Sequence, residues 1–419
     1  MKTLETLTVA SSRRGMLKAA LSGGFVLAFR LPSHAVNEPE QAADPTDGKF
    51  APDAFIRIDH TGTTTLVMPQ VEMGQGVYTA LPMILIDELD GDWERVALEH
   101  ASPNEALYAN PMLGVQATGN SNSVRAFWKP LRTAAATARA MLIQAAAEQW
   151  QVEPASCTAS KGVVIHAASG RALSYGDLAD AASKLPVPQQ VPLKDPKDFT
   201  LIGKPLKRLD TPNKSDGKVV YGIDAMLPGM KFATLSASPV LGGKVARVDN
   251  TTAAKAVPGV RQIIVLDDLV AVVGDHMWAA KQGLEALAIT WDDGPNGKVN
   301  SVDIWDNLRE ASKKDGAVAK NIGDVAKALS QDERIDADYE MPFLAHATME
   351  PMNCTVHVTP NSCEIWIGSQ VVARVQQFAA KAAGLPVDKV IVHNHLLGGG
   401  LNPTWRSAPC ASANRLMAR

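Results

Sequence analysis

The chain has 419 residues, of which 46% are hydrophobic and 20% are charged, and its formal net charge is -3. These values indicate a globular protein of two or three domains with a large core. The near balance of charge gives no indication of a nucleic-acid-binding surface or of an acidic polymeric ligand.

Four cysteines are scattered along the chain at positions 157, 354, 363 and 410. None belongs to a C-x-x-C pair, so the sequence encodes neither an iron–sulfur cluster nor a structural zinc site. Cys354 and Cys363 can form a disulfide if the chain is exported. The alternative is a pair of buried thiols on neighbouring strands.

Residues 1–35 are predicted to be a signal peptide. Arg13 and Arg14 precede a weakly apolar run at 19–29, a pattern typical of the twin-arginine export route. A membrane anchor, the alternative, needs about 20 apolar residues, and this run is shorter and contains two glycines. The twin-arginine route carries folded proteins, so we expect a periplasmic protein that receives its cofactor before export. We expect the protein to meet a membrane only during export or through its electron acceptor.

The rest of the chain alternates strand and helix patterns, interrupted by polar and proline-rich stretches. We predict a mixed α/β and α+β fold in which a small domain of βαββαβ order is flanked by α/β segments. The predicted segments are a polar linker (36–50), a first α/β segment (51–185), a proline-rich linker (186–210), the small domain (211–296), a connector (297–333), a second α/β segment (334–400) and a tail (401–419).

The first candidate binding turn is Gly74-Gln75-Gly76, which precedes an apolar helix predicted to begin near Val77. The two glycines let the backbone approach a ligand, and the glutamine amide offers both a donor and an acceptor. The start of the helix offers free N–H groups to an anion. The alternative is a tight turn with an exposed glutamine.

The second candidate turn runs from Gly119 to Ser123 and precedes a long helix. Gly119, Ser121 and Ser123 suit a phosphate at the start of that helix, whereas N-capping by Ser121, Asn122 or Ser123 is the alternative. Helical spacing predicts one buried face, formed by Phe127, Leu131, Ala135, Ala138, Leu142 and Ala146.

The third candidate lies in a strand–helix–strand unit near the end of the chain. Gln370 follows its first strand, and three glycines (Gly398, Gly399 and Gly400) follow its second. Ligands in α/β folds bind beyond the carboxyl ends of strands. Gln370 and the glycines are therefore predicted to lie near one ligand.

Two further residue types are weaker candidates in the same region. His393 and His395 share a strand face, but the sequence supplies no third ligand nearby, so we predict no metal bound directly by side chains. Glu350 is a candidate general base by residue type. A capping role for its carboxylate is favoured.

Together these segments resemble the large, molybdopterin-binding subunit of the xanthine dehydrogenase/aldehyde oxidase family. The resemblance is strongest to the two-subunit bacterial branch represented by the isoquinoline 1-oxidoreductase beta subunit. It covers nearly the whole chain up to Gly400 and is carried by the strings VEMGQGVYTALPM, TGNSNSVR, RLDTPNKSDGKVVYGID, AHATMEPMNCTV, IWIGSQ and HNHLLGGG.

The resemblance implies a molybdopterin cofactor with molybdenum, in the cytosine dinucleotide form, and a hammerhead domain at 211–296 between molybdopterin-binding segments. Gln75, between Gly74 and Gly76, then hydrogen-bonds the pterin, and Gln370 points to the metal. The loop that contains Gly119, Ser121 and Ser123 holds cofactor phosphate or pterin edges. The N–H groups of Gly398, Gly399 and Gly400 approach the same centre.

The implied activity is a molybdopterin-dependent oxidoreductase that hydroxylates an N-heterocycle such as isoquinoline. The electrons pass to [2Fe–2S] clusters, which the resemblance places on a small partner subunit. Two alternatives stay open: an aldehyde dehydrogenase large subunit of the same family, and a non-catalytic exported remnant that binds a partner.

The chain departs from the family pattern after Gly400. The family continues with Phe-Gly and a long second half, which carries the glutamate that acts as general base. Here Leu401 follows, and residues 401–419 contain three arginines but no Lys, Asp or Glu. We therefore expect an out-of-frame tail, a truncated chain, and no turnover by the chain as written.

Overall fold

The computed structural model describes residues 25–27, 55–331, 335–344 and 346–400. The chain folds into two compact units, one comprising residues 1–226 and 348–419 and the other residues 227–347. Small sheets with packed helices make the fold mixed α/β and α+β, as predicted. Within the described residues, no helix is both long enough and apolar enough to cross a membrane.

The N-terminal part of the first unit contains a four-stranded sheet of order β1-β2-β3-β4 and a three-stranded antiparallel sheet of order β5-β6-β7. In the first sheet only β3 and β4 pair in parallel. The strands are β1 (Phe25–Leu27), β2 (Ile56–Ile58), β3 (Thr64–Met68), β4 (Val96–His100), β5 (Thr158–Ser160), β6 (Val163–His166) and β7 (Arg171–Ser174). The helices are α1 (Val77–Leu89), α2 (Glu105–Tyr108), α3 (Ser123–Trp150), α4 (Tyr175–Ala182) and α5 (Thr211–Ser215).

Strand β1 falls within the predicted signal peptide. Its three residues pair antiparallel with β2. The other residues of that segment lie outside the described part of the chain, and so does the tail at 401–419. Export by the twin-arginine route and the out-of-frame tail therefore stay predictions.

Helices α1 and α3 pack on each other and form the main core of the first unit. The helical stripe predicted for α3 is confirmed, because all six of its side chains are fully buried. Helix α1 contributes an almost continuous apolar surface to the same core. Apolar periodicity thus places α1 and α3 side by side, directly behind the first two candidate turns.

The second unit contains a three-stranded sheet of order β10-β11-β8 and a two-stranded sheet of order β12-β9. The predicted βαββαβ order is present from β9 to β12, and the sequence analysis missed β8, which precedes it. The strands are β8 (Phe232–Ala237), β9 (Lys244–Asp249), β10 (Val260–Val265), β11 (Leu269–Gly274) and β12 (Ala288–Asp292). The helices are α6 (Thr251–Ala256), α7 (Met277–Glu285), α8 (Ser301–Ser312) and α9 (Val325–Gln331).

The chain then returns to the first unit with the predicted strand–helix–strand element. It consists of β13 (Thr355–Thr359), β14 (Ser362–Ile367), α10 (Val372–Ala383) and β15 (Val390–Asn394). Strands β14 and β15 are parallel. Helix α10 ends at Gly384, whose positive φ of 67° makes it the left-handed C-cap that the sequence predicts.

Cys363 is a buried thiol. Val358 pairs with Cys363 in the β13–β14 register, so Cys354 lies four residues along the chain, roughly 13 Å, from the level of Cys363. A disulfide requires Cα atoms within about 7 Å. The register therefore excludes the disulfide in this fold.

The proline-rich linker is tied to the C-terminal end of α1. The Asp87 carboxylate accepts backbone N–H bonds from Thr200, Leu201 and Ile202 at 2.8–3.2 Å. The buried Glu88 carboxylate accepts from Arg132 Nε at 2.8 Å. A linker that contains a 3-10 helix at Pro196–Asp198 is thereby fixed on the helix that precedes it in the core.

The core role of α3 can be tested by substituting two phenylalanines. Phe127 is fully buried, whereas Phe378 on α10 is 49% exposed. We expect Phe127→Ala to lower the free energy of unfolding by about 3–5 kcal/mol because it leaves a cavity. The matched Phe378→Ala variant should cost about 1 kcal/mol or less. Urea denaturation compares the two, and equal losses would contradict this assignment of the core.

Candidate functional site

Thr118 joins two of the candidate binding segments. Its backbone N–H donates to Gln370 O at 2.9 Å, and its carbonyl accepts from Gln370 Nε2 at 2.7 Å. Its hydroxyl accepts from the backbone N–H of Val71 at 2.9 Å. The end of β14, the loop before α3 and the segment before α1 therefore meet at one residue.

Three more hydrogen bonds complete this convergence. Ser123 Oγ donates to the buried amide oxygen of Gln70 at 2.7 Å, and Gln70 Nε2 donates to Ala117 O at 3.1 Å. The backbone N–H of Leu397 donates to Glu72 O at 3.0 Å, which brings the glycine turn after β15 to the same place. All three predicted turns thus lie together in the first unit.

A buried carboxylate organises the Gly74-Gln75-Gly76 turn. Glu72 is 0% exposed. Its Oε1 accepts from the N–H groups of Gly74 at 2.8 Å and Gly76 at 3.0 Å, and its Oε2 accepts from Tyr78 N at 2.9 Å. The anion at the start of α1 is therefore a carboxylate of the chain itself, where the sequence analysis expected free N–H groups.

The side chain of Gln75 bonds within its own turn. Its Oε1 accepts from Met73 N at 2.7 Å, and its Nε2 donates to Val71 O at 2.9 Å. Gly74 and Gly76 have positive φ values of 109° and 90°, and nothing lies within 4 Å of the position where a Cβ would stand. The turn needs glycine for its conformation and leaves open space in front of it.

A charged segment reinforces Glu72 from more than a hundred residues away. Arg208 Nη2 donates to Glu72 Oε1 at 2.8 Å and to Asp210 Oδ2 at 2.7 Å, while its Nη1 donates to Gly74 O at 2.9 Å. Lys214 Nζ lies 2.6 Å from Asp210 Oδ2. Burial alone would raise the pKa of Asp210, but the hydrogen bonds from Arg208 and Lys214 outweigh it and hold that pKa at about 2.

The start of α3 is arranged differently. Asn122 occupies the N-cap position, yet its side chain makes no capping bond. Asn120 and Ser121 both adopt left-handed φ values, 57° and 48°, which is a strained conformation for residues with a side chain. Ser121 is exposed, and the hydroxyl hydrogen of Ser123 is given to Gln70. N-capping, the alternative reading of this loop, is therefore not what its side chains do.

Asn122 carries a buried donor that has no partner among the residues that the structure describes. Its Oδ1 accepts from Asn110 Nδ2 at 2.9 Å, and Asn110 Oδ1 is itself occupied by the N–H of Met112. This fixes the orientation of the Asn122 amide, because Asn110 can only donate to it. Asn122 Nδ2 is consequently left as a buried N–H₂ group without an acceptor among the described residues. Leaving such a group unpaired costs about 1–3 kcal/mol.

Close packing requires glycine at 398 and 399, and Gly400 lies against the flexible side chain of Met73. A Cβ on Gly398 would lie 2.5 Å from Glu350 Cβ, one on Gly399 2.5 Å from Thr348 Cβ, and one on Gly400 2.8 Å from Met73 Sδ. The N–H of Gly398 already donates to Glu350 Oε2 at 2.6 Å. The predicted approach of the N–H groups of Gly398, Gly399 and Gly400 to a metal centre stays a prediction.

Glu350 has the capping role that the sequence analysis favours. Besides the bond from Gly398, its Oε1 accepts from Asn353 Nδ2 at 2.9 Å and from the backbone N–H of Ile223 at 3.2 Å. The remaining atom of that amide, Asn353 Oδ1, is a buried acceptor without a partner in the described chain. Glu350 is thus fixed by three donors and is not poised as a base.

Histidines lie on both sides of the convergence. Tyr78 Oη lies 2.7 Å from His100 Nδ1, and burial, with a smaller contribution from His395, lowers the pKa of His100 to about 4. His395 Nδ1 donates to Val220 O at 3.1 Å, so its buried Nε2 is an acceptor without a partner in the described chain. His393 Nε2 lies 3.1 Å from Glu364 Oε2, a carboxylate that the sequence analysis overlooked because it comes from the neighbouring strand.

The described residues contain no group of three side chains suited to hold a metal. A polar cavity of about 10 Å³, the space of one water molecule, separates β3 from the end of β14. Its lining includes Gln70, His100, Thr118, Ser369, Gln370 and Asn394. A substrate does not fit in this cavity.

Residues 24–226 match the family model of a molybdopterin cofactor-binding domain, and residues 309–417 match a second model with the same description. The chain is 30% identical to the isoquinoline 1-oxidoreductase beta subunit of Brevundimonas diminuta, over 94% of this chain and 56% of that protein. It is 32% identical to the membrane-bound aldehyde dehydrogenase [pyrroloquinoline-quinone] of Gluconacetobacter polyoxogenes, over 93% of this chain and 52% of that protein. The chain belongs to the molybdopterin-binding subunits of the xanthine dehydrogenase/aldehyde oxidase family.

The chain spans about half the length of these two curated relatives. Among solved structures, quinoline 2-oxidoreductase from Pseudomonas putida 86 covers 52% of this chain with 34% of its own, at 15% identity and a TM-score of 0.39. The second family match extends to residue 417 and so enters the segment for which the sequence predicts an out-of-frame tail.

In this molybdopterin-binding subunit, alanine substitutions can distinguish a glycine that close packing requires from one that has open space at its Cβ. We expect Gly398→Ala to lower the free energy of unfolding by about 1–3 kcal/mol, because its Cβ overlaps Glu350. Gly119→Ala should leave stability unchanged, since Gly119 has an ordinary φ and open space at its Cβ. Urea denaturation of the two variants gives the comparison. A stable Gly398→Ala variant would contradict the packing described here.

The histidine cluster predicts a pH dependence of stability. The folded pKa of His100, about 4, lies below its unfolded value of about 6.5. The stability that His100 contributes to the folded state is therefore complete above pH 6.5 and is lost as pH falls towards 4. His395, whose pKa burial also lowers, acts in the same direction.

The His100→Gln variant should therefore lose less stability than wild-type chain between pH 7 and 5, although it should still lose some. Urea unfolding at these pH values measures the loss. The stabilisation from Asp210 is complete above pH 3.8 and is lost only as pH falls below that value. Asp210→Asn is therefore the matched control, and an unchanged slope in His100→Gln would refute the assignment.

Proposed function

We propose that this chain is the cofactor-binding part of a molybdenum hydroxylase large subunit, and that the intact enzyme hydroxylates an N-heterocycle such as isoquinoline. Family membership and the similarity to an isoquinoline 1-oxidoreductase beta subunit support this proposal. The observation that carries it is the convergence of three turns on Thr118, next to a fixed donor without an acceptor, Asn122 Nδ2.

The residues present fit a molybdopterin dinucleotide by the chemistry of their donors. An anionic group suits the start of α3, where no side chain caps the helix and Asn122 offers a buried N–H₂ group. Gly119 leaves open space there. A neutral hydrogen-bonding edge suits the Gly74-Gln75-Gly76 turn, where the charge at the helix start is already balanced.

Each predicted residue then receives a role in holding the cofactor. Ser121 and Asn122 donate to phosphate oxygens, and Ser123 orients the loop through its bond to Gln70. Gln75 exchanges its bonds within the turn for bonds to the pterin edge. Gln370 and the glycine turn lie on the metal side. In the bound state the cofactor supplies the oxidative hydroxylation chemistry, whereas the residues described here bind it, orient it and keep water from its buried edge.

The proposal extends to partners and location. As the resemblance to the two-subunit branch implies, the [2Fe–2S] centres that take the electrons belong to a small partner subunit. The arginine pair before the apolar run supports export by the twin-arginine route to the periplasm. The cytosine dinucleotide form of the cofactor is part of the same proposal.

Aldehyde oxidation is the second candidate activity. The similarity to a membrane-bound aldehyde dehydrogenase is of the same strength, 32% identity over 93% of the chain. The described residues do not enclose a substrate pocket that selects a heterocycle over an aldehyde. Turnover of isoquinoline and of an aliphatic aldehyde, each with the partner subunit present, separates the two activities.

The cofactor role of the α3 loop can be tested with an isosteric substitution. Asn122→Asp keeps the acceptor for Asn110 and replaces the unpaired donor with an anionic oxygen. We expect it to lower the molybdenum and cytidine content of purified chain by about tenfold or more, because a repelled anion loses well over 1 kcal/mol of binding. Metal analysis and nucleotide release by acid hydrolysis measure the two contents.

Asn361→Asp adds the same charge at an exposed turn of the same unit and is the matched control. It should retain the wild-type cofactor content. If wild-type chain carries neither molybdenum nor cytidine when produced in a host that makes the cofactor, the proposed function fails. If Asn122→Asp keeps the wild-type content, the assignment of the anion to α3 fails.

A further inference from the structure

Two helices begin where the three turns meet, and their N-termini differ in how their backbone N–H groups are satisfied. Helix α1 follows the Gly74-Gln75-Gly76 turn, and α3 follows the 119–122 loop. Every helix N-terminus attracts anions through its unpaired N–H groups and its dipole. A cofactor with one anionic end could therefore bind in either of two orientations unless one N-terminus is blocked.

The N-terminus of α1 is filled from within. The Glu72 carboxylate accepts from three backbone N–H groups, those of Gly74, Gly76 and Tyr78, at 2.8–3.0 Å. Its side chain is wholly inaccessible to solvent. No donor of this set is left for a second anion, and a second negative charge placed there would be repelled by the first.

The blocking carboxylate is held in place by a charge-balanced cluster. Arg208 Nη2 lies 2.8 Å from Glu72 Oε1 and 2.7 Å from Asp210 Oδ2. Lys214 Nζ lies 2.6 Å from Asp210 Oδ2 and 3.9 Å from Glu72 Oε1. Two acids and two bases leave no net charge, so the cluster has no excess cation to recruit a phosphate. Arg208 Nη1 also donates a hydrogen bond to Gly74 O at 2.9 Å, which fixes the turn itself.

The N-terminus of α3 has the opposite character. Its cap residue makes no side-chain capping bond, and its buried Asn122 Nδ2 is unpaired within the described chain. Arg125 adds an exposed positive charge in the first turn. Of the two helix starts, only this one has donors free for an anion.

We propose that Glu72 is a specificity-determining residue that bars the anionic end of the cofactor from the α1 turn and so directs that end to α3. Arg208 acts as a positioning residue for Glu72. The inference rests on the proposed function, since it assigns the orientation in which the cofactor lies across the convergence. It also gives the RLDTPNK segment a role, which the sequence alone does not.

The test opens the blocked N-terminus and offers it a small carboxylate. Glu72→Ala frees three N–H groups and one arginine N–H. Formate should then raise the Tm of the full-length variant by roughly 2 °C or more, beyond the effect of chloride at equal ionic strength. Wild-type chain, in which Glu72 blocks the start of α1, should show a smaller rise from formate bound at the start of α3. Glu72→Gln, which keeps an acceptor in place, should respond less than Glu72→Ala and serves as the folded reference if the alanine variant is unstable.

Phosphate binding supplies the second measurement. By calorimetry with inorganic phosphate, cofactor-free wild-type chain should show one site that Asn122→Asp abolishes. In the Glu72→Ala, Asn122→Asp double variant a site should reappear, now sensitive to Arg208→Gln. No formate response and no regained phosphate site would overturn the inference.

The two hypotheses fail separately. Molybdenum present in wild-type chain together with no anion response in Glu72→Ala rejects only the role of Glu72. Absence of molybdenum and cytidine from wild-type chain rejects the proposed function, and with it the orientation assigned here, even if formate binds to the variant.

Discussion

Buried carboxylates at both ends of helix α1 fix the framework on which the site depends. Glu72 lies before its first turn, and Asp87 and Glu88 lie in its last. Acidic groups at a helix C-terminus face the negative end of the dipole, so those two require outside donors. The linker supplies them to Asp87 through the N–H groups of 200–202 and continues to Arg208, which reaches Glu72. The linker therefore runs antiparallel to α1 and secures both ends.

This anchoring determines how the turns meet. Because α1 packs along α3, the two helix starts lie side by side, and short bonds through Thr118 and Gln70 suffice to join them. The bond from Leu397 to Glu72 O then adds the glycine turn after β15. Glu72 thus contributes its side chain to one turn and its backbone to another. A shift of that residue would disturb both.

Local sequence patterns predict the helices, turns and caps of this protein well, but they predict poorly which distant side chains contact one another. The stripe of α3, the start of α1 at Val77 and the Gly384 cap follow from periodicity and residue type, and the structure confirms them. Three turns were identified as parts of one site for the same reason. Glu72 and Arg208 were missed because they are 136 residues apart. Asn122 was weighed only as an N-cap, and its orphaned donor depends on Asn110, which no pattern links to it. Cofactor roles for the predicted residues stay predictions.

The glycines show why residue type alone misplaces part of such a site. Gly74 and Gly76 are required by left-handed backbone, and the space beside them is open. Gly398 and Gly399 are required because Glu350 and Thr348 occupy the space that a side chain needs. From the sequence alone, both groups of glycines are interpreted in the same way, as turns that hold a ligand. Only the first kind leaves a surface that a ligand can approach directly. The second kind packs closely on its own chain, with Gly398 and Gly399 against the 348–350 loop and Gly400 against Met73.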